Sequence, residues 1–142
     1  MGSIQFNNAL FLAKSKLNEQ GYCNIEIPQS KPRSKGEVLG CTSPNLCLNG
    51  YKENPIVIFV CDGRFHMESA MISNPDLKFY QYNPYTKVLS LERYDTKLMK
   101  DIRLSMINKA KNAKSVGIIF GMLGRQGNPS ILNVFFSKNR AL

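Results

Sequence analysis

The sequence has few of the features that announce a function by themselves. It contains no CxxC pair, a single histidine (His66), and 10 acidic side chains against 19 basic ones in 142 residues. One histidine without CxxC cannot complete a zinc-finger pattern. Nothing marks an oxidising compartment, so the four cysteines (Cys23, Cys41, Cys47, Cys61) do not read as a disulfide framework. The longest apolar runs, Ile56 to Cys61 and Val116 to Phe120, fall far short of the roughly 20 residues that cross a bilayer. No secretory leader is expected either, because Gln5, Asn7, Asn8, Lys14 and Lys16 interrupt the opening stretch. A membrane protein, a secreted disulfide scaffold and a multidomain machine are set aside on these grounds, and a cytoplasmic location is expected.

What remains is an ordinary globular composition. Hydrophobic residues make up 43%, too many for a disordered chain. A chain of this length buries about two-thirds of its surface, so one core and a single domain over 1–142 are expected. The net charge of +9 is uneven, with Asp101 the only acidic residue in 101–142. A basic C-terminal third suits nucleic acid, an anionic cofactor or an acidic partner. A solvated helix face is the simpler account, since Lys109, Lys111 and Lys114 stand near a helix end, where cations are favoured.

Periodicity outlines the elements. Phe6, Leu10, Ala13 and Leu17 have helical spacing, and Gly21 stands where a helix would end. Tyr22–Ile27 alternates like a short strand closed by Pro28. A long loop with Pro32, Gly36, Gly40 and Pro44 follows, and a loop of that length is usually functional or disordered. Ile56–Cys61 is a continuous apolar run, the pattern of a strand buried on both faces. Phe65, Met67, Ala70 and Met71 suggest a short helix. Two short strands flank Asn83-Pro84-Tyr85. Asp95 is placed to cap a helix whose stripe runs from Leu98 to Ala113. Val116–Phe120 reads as a further strand, and a final helix follows Asn128-Pro129. Cys23 and Cys61 fall in strand-like runs, where cysteine usually behaves as a small buried hydrophobe. Strands alternating with helices predict an α/β fold: a three-layer sandwich with a small, mainly parallel sheet flanked by helices.

Three loops each follow an expected strand: Gln29–Pro44, Asp62–His66 and Gly121–Gly127. If those strands are parallel, the loops share the carboxyl edge of one sheet, where open α/β sheets bind ligands. Each candidate keeps two readings. Leu123-Gly124-Arg125-Gln126-Gly127 is an anion cradle or a tight turn. Asp62-Gly63-Arg64 is a polar ligand contact or a turn with a local ion pair. His66 is an acid–base group or structural. Cys41, in Gly-Cys-Thr-Ser-Pro, is a nucleophile or a metal ligand, and the lack of a Cys–His pair speaks against a protease-like mechanism.

The same loops resemble those of a known family. Ile27-Pro28-Gln29-Ser30-Lys31-Pro32 and Gly36-Glu37-Val38-Leu39-Gly40-Cys41-Thr42-Ser43-Pro44 are similar to the 2-(3-amino-3-carboxypropyl)histidine synthases, which begin diphthamide synthesis, and most similar to the subunit 1 branch. So are Asp62-Gly63-Arg64-Phe65-His66-Met67-Glu68-Ser69, Asn83-Pro84-Tyr85-Thr86-Lys87 and Leu123-Gly124-Arg125-Gln126-Gly127. Ser3-Ile4-Gln5-Phe6 resembles the start of the family's middle domain. Five motifs in family order cover nearly the whole chain.

The resemblance implies a transferase chemistry. Family members bind a 4Fe–4S cluster and S-adenosylmethionine, release a 3-amino-3-carboxypropyl radical, and add that group to a histidine of translation elongation factor 2. Three cysteines, one from each of three related α/β domains, hold three irons, and the fourth iron is open to the cofactor. By this resemblance Cys41 is the middle-domain metal ligand. Asp62, Gly63, Arg64, His66, Gly124, Arg125, Gln126 and Gly127 match positions around the cofactor cavity. The implied partners are a related second subunit, the elongation factor and an electron-donor protein. Neither membrane nor nucleic acid is expected. One cluster cysteine in place of three makes this chain incomplete and inactive alone, a fragment or one piece of a split enzyme. The alternative is a non-catalytic scaffold domain of the same complex. Departures from the family are Arg33 and Lys35 in the cysteine loop, Cys61 before Asp62, and Met122 within the glycine-rich motif.

Overall fold

A computed structural model describes residues 1–46, 55–122 and 127–138. The chain divides into two compact units, Met1–Ile102 and Arg103–Leu142.

In the first unit a single 3-10 turn, Ile4–Phe6, leads into α1, Asn7–Glu19. Then come β1 (Ile56–Val60), α2 (Phe65–Ser73), β2 (Lys78–Asn83) and β3 (Val88–Glu92). The helix α3, Thr96–Ala110, begins in this unit. The strands form one sheet in the order β1-β2-β3. β1 and β2 are parallel, with Ile58 opposite Tyr80, and α2 makes the crossover that parallel pairing demands. β2 and β3 are antiparallel, with Gln81 opposite Ser90. The α/β class expected from the alternation is therefore what forms, around a small sheet that is mixed.

The core lies on one face of this sheet. Val57, Phe59 and Cys61 alternate onto that face beside Phe79, and Met67, Ala70 and Met71 of α2 cover them. Burying each of the larger side chains contributes about 1.5–3 kcal/mol. Two loop residues, Val38 and Leu46, belong to the same cluster. The opposite face is not closed in the same way: Ile56, Ile58, Leu89 and Leu91 stay exposed. Burial of β1 on both faces, which its continuous apolar run suggested, holds only at its carboxyl end, where Val60 is buried on this second face. The helix in the crossover supplies a cover for one face only.

Residues Met1–Ser3 extend the sheet beyond β1. Val60 N–H donates to the Met1 carbonyl at 2.8 Å, and Ser3 N–H donates to the Val60 carbonyl at 3.2 Å. Gly2 then bridges outward to the cysteine loop, donating to the Gly36 carbonyl at 2.9 Å and accepting from Val38 N–H at 3.3 Å. A Cβ on Gly2 would stand 2.7 Å from the Val60 carbonyl oxygen, so only glycine fits this seam. This ribbon occupies the outer edge of β1. In a second correction, Tyr22–Ile27 forms no strand. Cys23 is accordingly exposed, against expectation, whereas Cys61 is fully buried as expected.

Helix ends follow their local chemistry. The Asp95 carboxylate accepts the Leu98 N–H at 2.7 Å and so caps α3. The stripe of α3 forms at helical spacing, and its Leu98, Ile102, Met106 and Ile107 are exposed.

In the second unit, Val116–Phe120 is not a strand, and its Val116, Ile118 and Ile119 are exposed. A strand needs a neighbouring backbone to satisfy its N–H and C=O groups, and the described part of 103–142 contains none. The last helix, α4, spans Ser130–Lys138. Asn128 caps it as the sequence suggested, its side-chain oxygen accepting Ser130 N–H at 3.0 Å. No helix among the described residues is long and apolar enough to cross a membrane.

Candidate functional site

The site is built on two segments of the first unit, the cysteine loop and the connection from β1 into α2. Cys41 occupies the tip of a tight turn closed by two hydrogen bonds between Leu39 and Thr42, at 3.0 and 3.3 Å. Its side chain is exposed, and the Thr42 hydroxyl donates to its sulfur at 3.7 Å. The limbs of the loop are buried. Before the turn, Val38 is fully buried in the core and Glu37 is 6% exposed. The Glu37 carboxylate accepts Ser34 N–H at 3.2 Å and pairs with Arg33 at 3.6 Å. Gly36 has φ +82° and lies against Leu10 and Ile27, where a Cβ would approach within 3 Å of both. Only glycine tolerates that combination of dihedral and contact.

After the turn, the anchor is Asn74 at the end of α2. Its side chain is fully buried, with both amide hydrogens and the carbonyl oxygen hydrogen-bonded. The carbonyl oxygen accepts Leu46 N–H at 2.7 Å, while the amide nitrogen donates to the Pro44 carbonyl at 3.0 Å and the Ala70 carbonyl at 2.9 Å.

The second segment leaves the carboxyl end of β1, as expected. Asp62, Gly63 and Arg64 are exposed, and a Cβ on Gly63 would meet nothing within 4 Å. Asp62 accepts a hydrogen bond from the Gln5 side chain at 3.0 Å. The Phe6 ring beside Gln5 meets Tyr85 edge-on, with centroids 5.7 Å apart. Tyr85 belongs to the turn after β2, where the Asn83 side-chain oxygen accepts the N–H groups of Tyr85 and Thr86 at 2.9 and 3.3 Å. The connections after both parallel strands thus meet the start of α1 at one edge of the sheet.

Arg64 turns back onto the protein. Its guanidinium donates to Glu68 at 3.2 Å, to the Arg93 carbonyl at 3.0 Å, and to Glu92. Glu92 is held in turn by the Ser90 hydroxyl at 2.7 Å. The planar fork therefore bridges the first turn of α2 to β3 and the residue after it. His66, in the first turn of α2, has its Nδ1 buried without a hydrogen-bond partner, and its ring meets Phe65 edge-on at 5.2 Å.

Phe65 links the two segments. It is 72% exposed, yet its ring rests on Gly40, where a Cβ would stand 2.5 Å from the ring Cζ. This places the Cys41 turn against the N-terminus of α2. The sequence brings three loops together only if the three strands before them are parallel. Of those strands only β1 forms, and the cysteine loop reaches the Asp62–His66 segment by side-chain packing instead. Gly124, Arg125 and Gln126 of the third loop, and Cys47, lie outside the described residues. Gly127 lies in the second unit, folded against Met122, whose carbonyl oxygen would be 2.5 Å from a Cβ there.

Several of these contacts escaped sequence reading. Asn74 before Pro75 signals a helix end and nothing more. Gln5, Glu92 and Phe65 carry no motif signal that assigns a contact. Cys61 is set apart from Cys41 by burial, which raises its thiol pKa and keeps it protonated.

The fold defines a class: an α/β domain with its loop chemistry at the carboxyl end of a parallel strand pair. A structural relative agrees, the crystal structure of Dph2 from Pyrococcus horikoshii. It has a TM-score of 0.63 and 23% identity, and the match covers 97% of this chain and 39% of that one. The family is narrower. Residues 1–141 match the model of the family described as "Putative diphthamide synthesis protein". The chain is 51% identical over 137 residues to 2-(3-amino-3-carboxypropyl)histidine synthase subunit 1 of Dictyostelium discoideum, covering 94% of this chain and 29% of that protein. It is 47% identical to the Homo sapiens protein of the same name, covering 100% of this chain and 31% of the relative, and 46% identical to that of Neurospora crassa, covering 99% and 31%. The chain belongs to the diphthamide synthesis family. It spans about a third of the length of these relatives.

Proposed function

We propose that residues 1–142 serve as the middle domain of a 2-(3-amino-3-carboxypropyl)histidine synthase and contribute one ligand, Cys41, to its iron–sulfur cluster. The observation that supports this most is the placement of Cys41. It is an exposed thiol at the tip of a turn whose two limbs are buried, beside the first turn of α2. A thiolate is the ligand such iron takes, and a hydroxyl donating to the sulfur is the kind of outer contact that tunes it. The donor set fits one corner of a cluster and not a whole one. Among the described residues no three His, Cys, Asp or Glu side chains gather, and metal affinity comes from several ligands fixed together. In this reading the remaining thiolates come from outside this chain.

When bound, a 4Fe–4S cluster with S-adenosylmethionine supplies the electron and the 3-amino-3-carboxypropyl group that is transferred to a histidine of translation elongation factor 2. The chain's own residues bind and orient. Gly63 leaves open space beside the Asp62 carboxylate, which Gln5 holds in place. The buried, unpartnered Nδ1 of His66 is a polar atom that a bound group would satisfy. Arg64 supports this wall from behind through Glu68 and Glu92. By family motif, Gly124, Arg125, Gln126 and Gly127 are further cofactor or substrate contacts in this reading. The partners are a related second subunit, the elongation factor and an electron-donor protein, in the cytoplasm.

The test is Cys41→Ala in the full-length protein, expressed in cells lacking their own copy. Loss of elongation-factor modification is the expected result. Full modification would remove the ligand role and favour a scaffold domain that only positions its partner.

A further inference from the structure

The Cys41 turn carries no core residue of its own, so something must fix it from each side. On the N-terminal side Val38 does this directly by entering the core. On the C-terminal side Leu46 is in the core, and a polar bracket secures the chain between it and the turn. We infer that Asn74 is a positioning residue for the Cys41 thiol, acting through Pro44 and Leu46. This rests on the reading of Cys41 as a metal ligand, since only then does the thiol's placement matter to the reaction.

Three observations carry it. Asn74 is fully buried although it lies at the end of a helix, where an asparagine that merely ends the helix is free to face water. Its three hydrogen bonds go to two places: the preceding turn of α2 through the Ala70 carbonyl, and the cysteine loop through the Pro44 carbonyl and the Leu46 N–H. Proline has no N–H with which to anchor itself, so its carbonyl, three residues from Cys41, is the backbone group by which Pro44 is tied to α2. The amide also matches the needs of both partners in a way no other side chain of its size does. An aspartate keeps the acceptor for Leu46 and loses both donors, while a leucine keeps the volume and loses all three bonds. An unpaired buried backbone group is costly, so the released limb would move out to find water.

Amide hydrogen exchange on the full chain tests this. In the wild type, Leu46 N–H is expected to be protected to the level of Val60 N–H in the sheet edge, far above an ordinary loop amide. In Asn74→Leu and Asn74→Asp, the amides that close the turn, Leu39 and Thr42, are expected to exchange at least about tenfold faster while Val60 stays protected, because a local opening has been made easier without global unfolding. Unchanged exchange at Leu39 and Thr42 in a variant whose Val60 remains protected would overturn the inference. So would a Leu46 amide that exchanges at free-loop rates in the wild type, a result that needs no variant to fold. Alkylation mapped by mass spectrometry gives a second readout: Cys41 reactivity changes, while buried Cys61 stays unreactive and exposed Cys23 is unaffected. None of these measurements involves iron. If Cys41→Ala left modification intact, the ligand reading would fail with the exchange result still standing.

Discussion

Single side chains decide how the two halves of the site meet. Phe65 is mostly exposed, and its ring seats on Gly40 because that position has no Cβ. Gly40→Ala is expected to destabilise the chain by about 1–3 kcal/mol, the usual range for forcing an extra methyl into a filled contact. Phe65→Ala should relieve most of that. In a thermal or urea double-mutant cycle the two substitutions are expected to couple by about 1 kcal/mol or more, as contacting residues do. Additive effects would show that the ring does not rest there. Arg64 makes a related point. By motif it matched a cofactor position, and its guanidinium is engaged with Glu68, Glu92 and the Arg93 carbonyl. An ammonium cannot reproduce a fork, so Arg64→Lys is expected to cost about 1 kcal/mol of stability in a denaturant titration, with the loss reduced at high salt.

Elements show what local pattern can and cannot specify. Helical spacing located α1, α2, α3 and α4, and the caps at Asp95 and Asn128 are local devices that sequence shows directly. Replacing Asp95 with alanine is expected to cost about 1 kcal/mol, read as a lower unfolding midpoint. Strands were legible only where a partner exists. Ile56–Val60, Lys78–Asn83 and Val88–Glu92 pair with one another, whereas Tyr22–Ile27 and Val116–Phe120 have strand-like patterns and no ladder. The alternate residues of β1 should respond very differently to truncation. Phe59→Ala, at a fully buried position, is expected to lose about 3–5 kcal/mol. Ile58→Ala, at a position 47% exposed, should lose much less, within about 1 kcal/mol. Equal losses would mean that both faces of the strand are covered.

For the whole molecule, the governing fact is that the chain spans about a third of its relatives' length, and that Cys41 is the exposed thiol of the site among the described residues. Anaerobic iron–sulfur reconstitution of the chain by itself is expected to give no stable four-iron cluster, measured by iron and sulfide content and by optical absorption. A stable cluster on the isolated monomer would overturn the shared-ligand reading.

The sequence alone determined the helices and their caps, the α/β class, and the loop motifs that mark the family. These depend on short-range spacing and on residue types with fixed conformational preferences, such as proline, glycine and the capping acids. Tertiary structure decided the rest. It gave the outer edge of β1 to Met1–Ser3, tied Arg64 to Glu92, buried Asn74 beneath the cysteine loop and laid Phe65 across Gly40. Each is a contact between residues distant in sequence. Its energy depends on which backbone groups and cavities remain unfilled once the core has closed, and no local pattern records that.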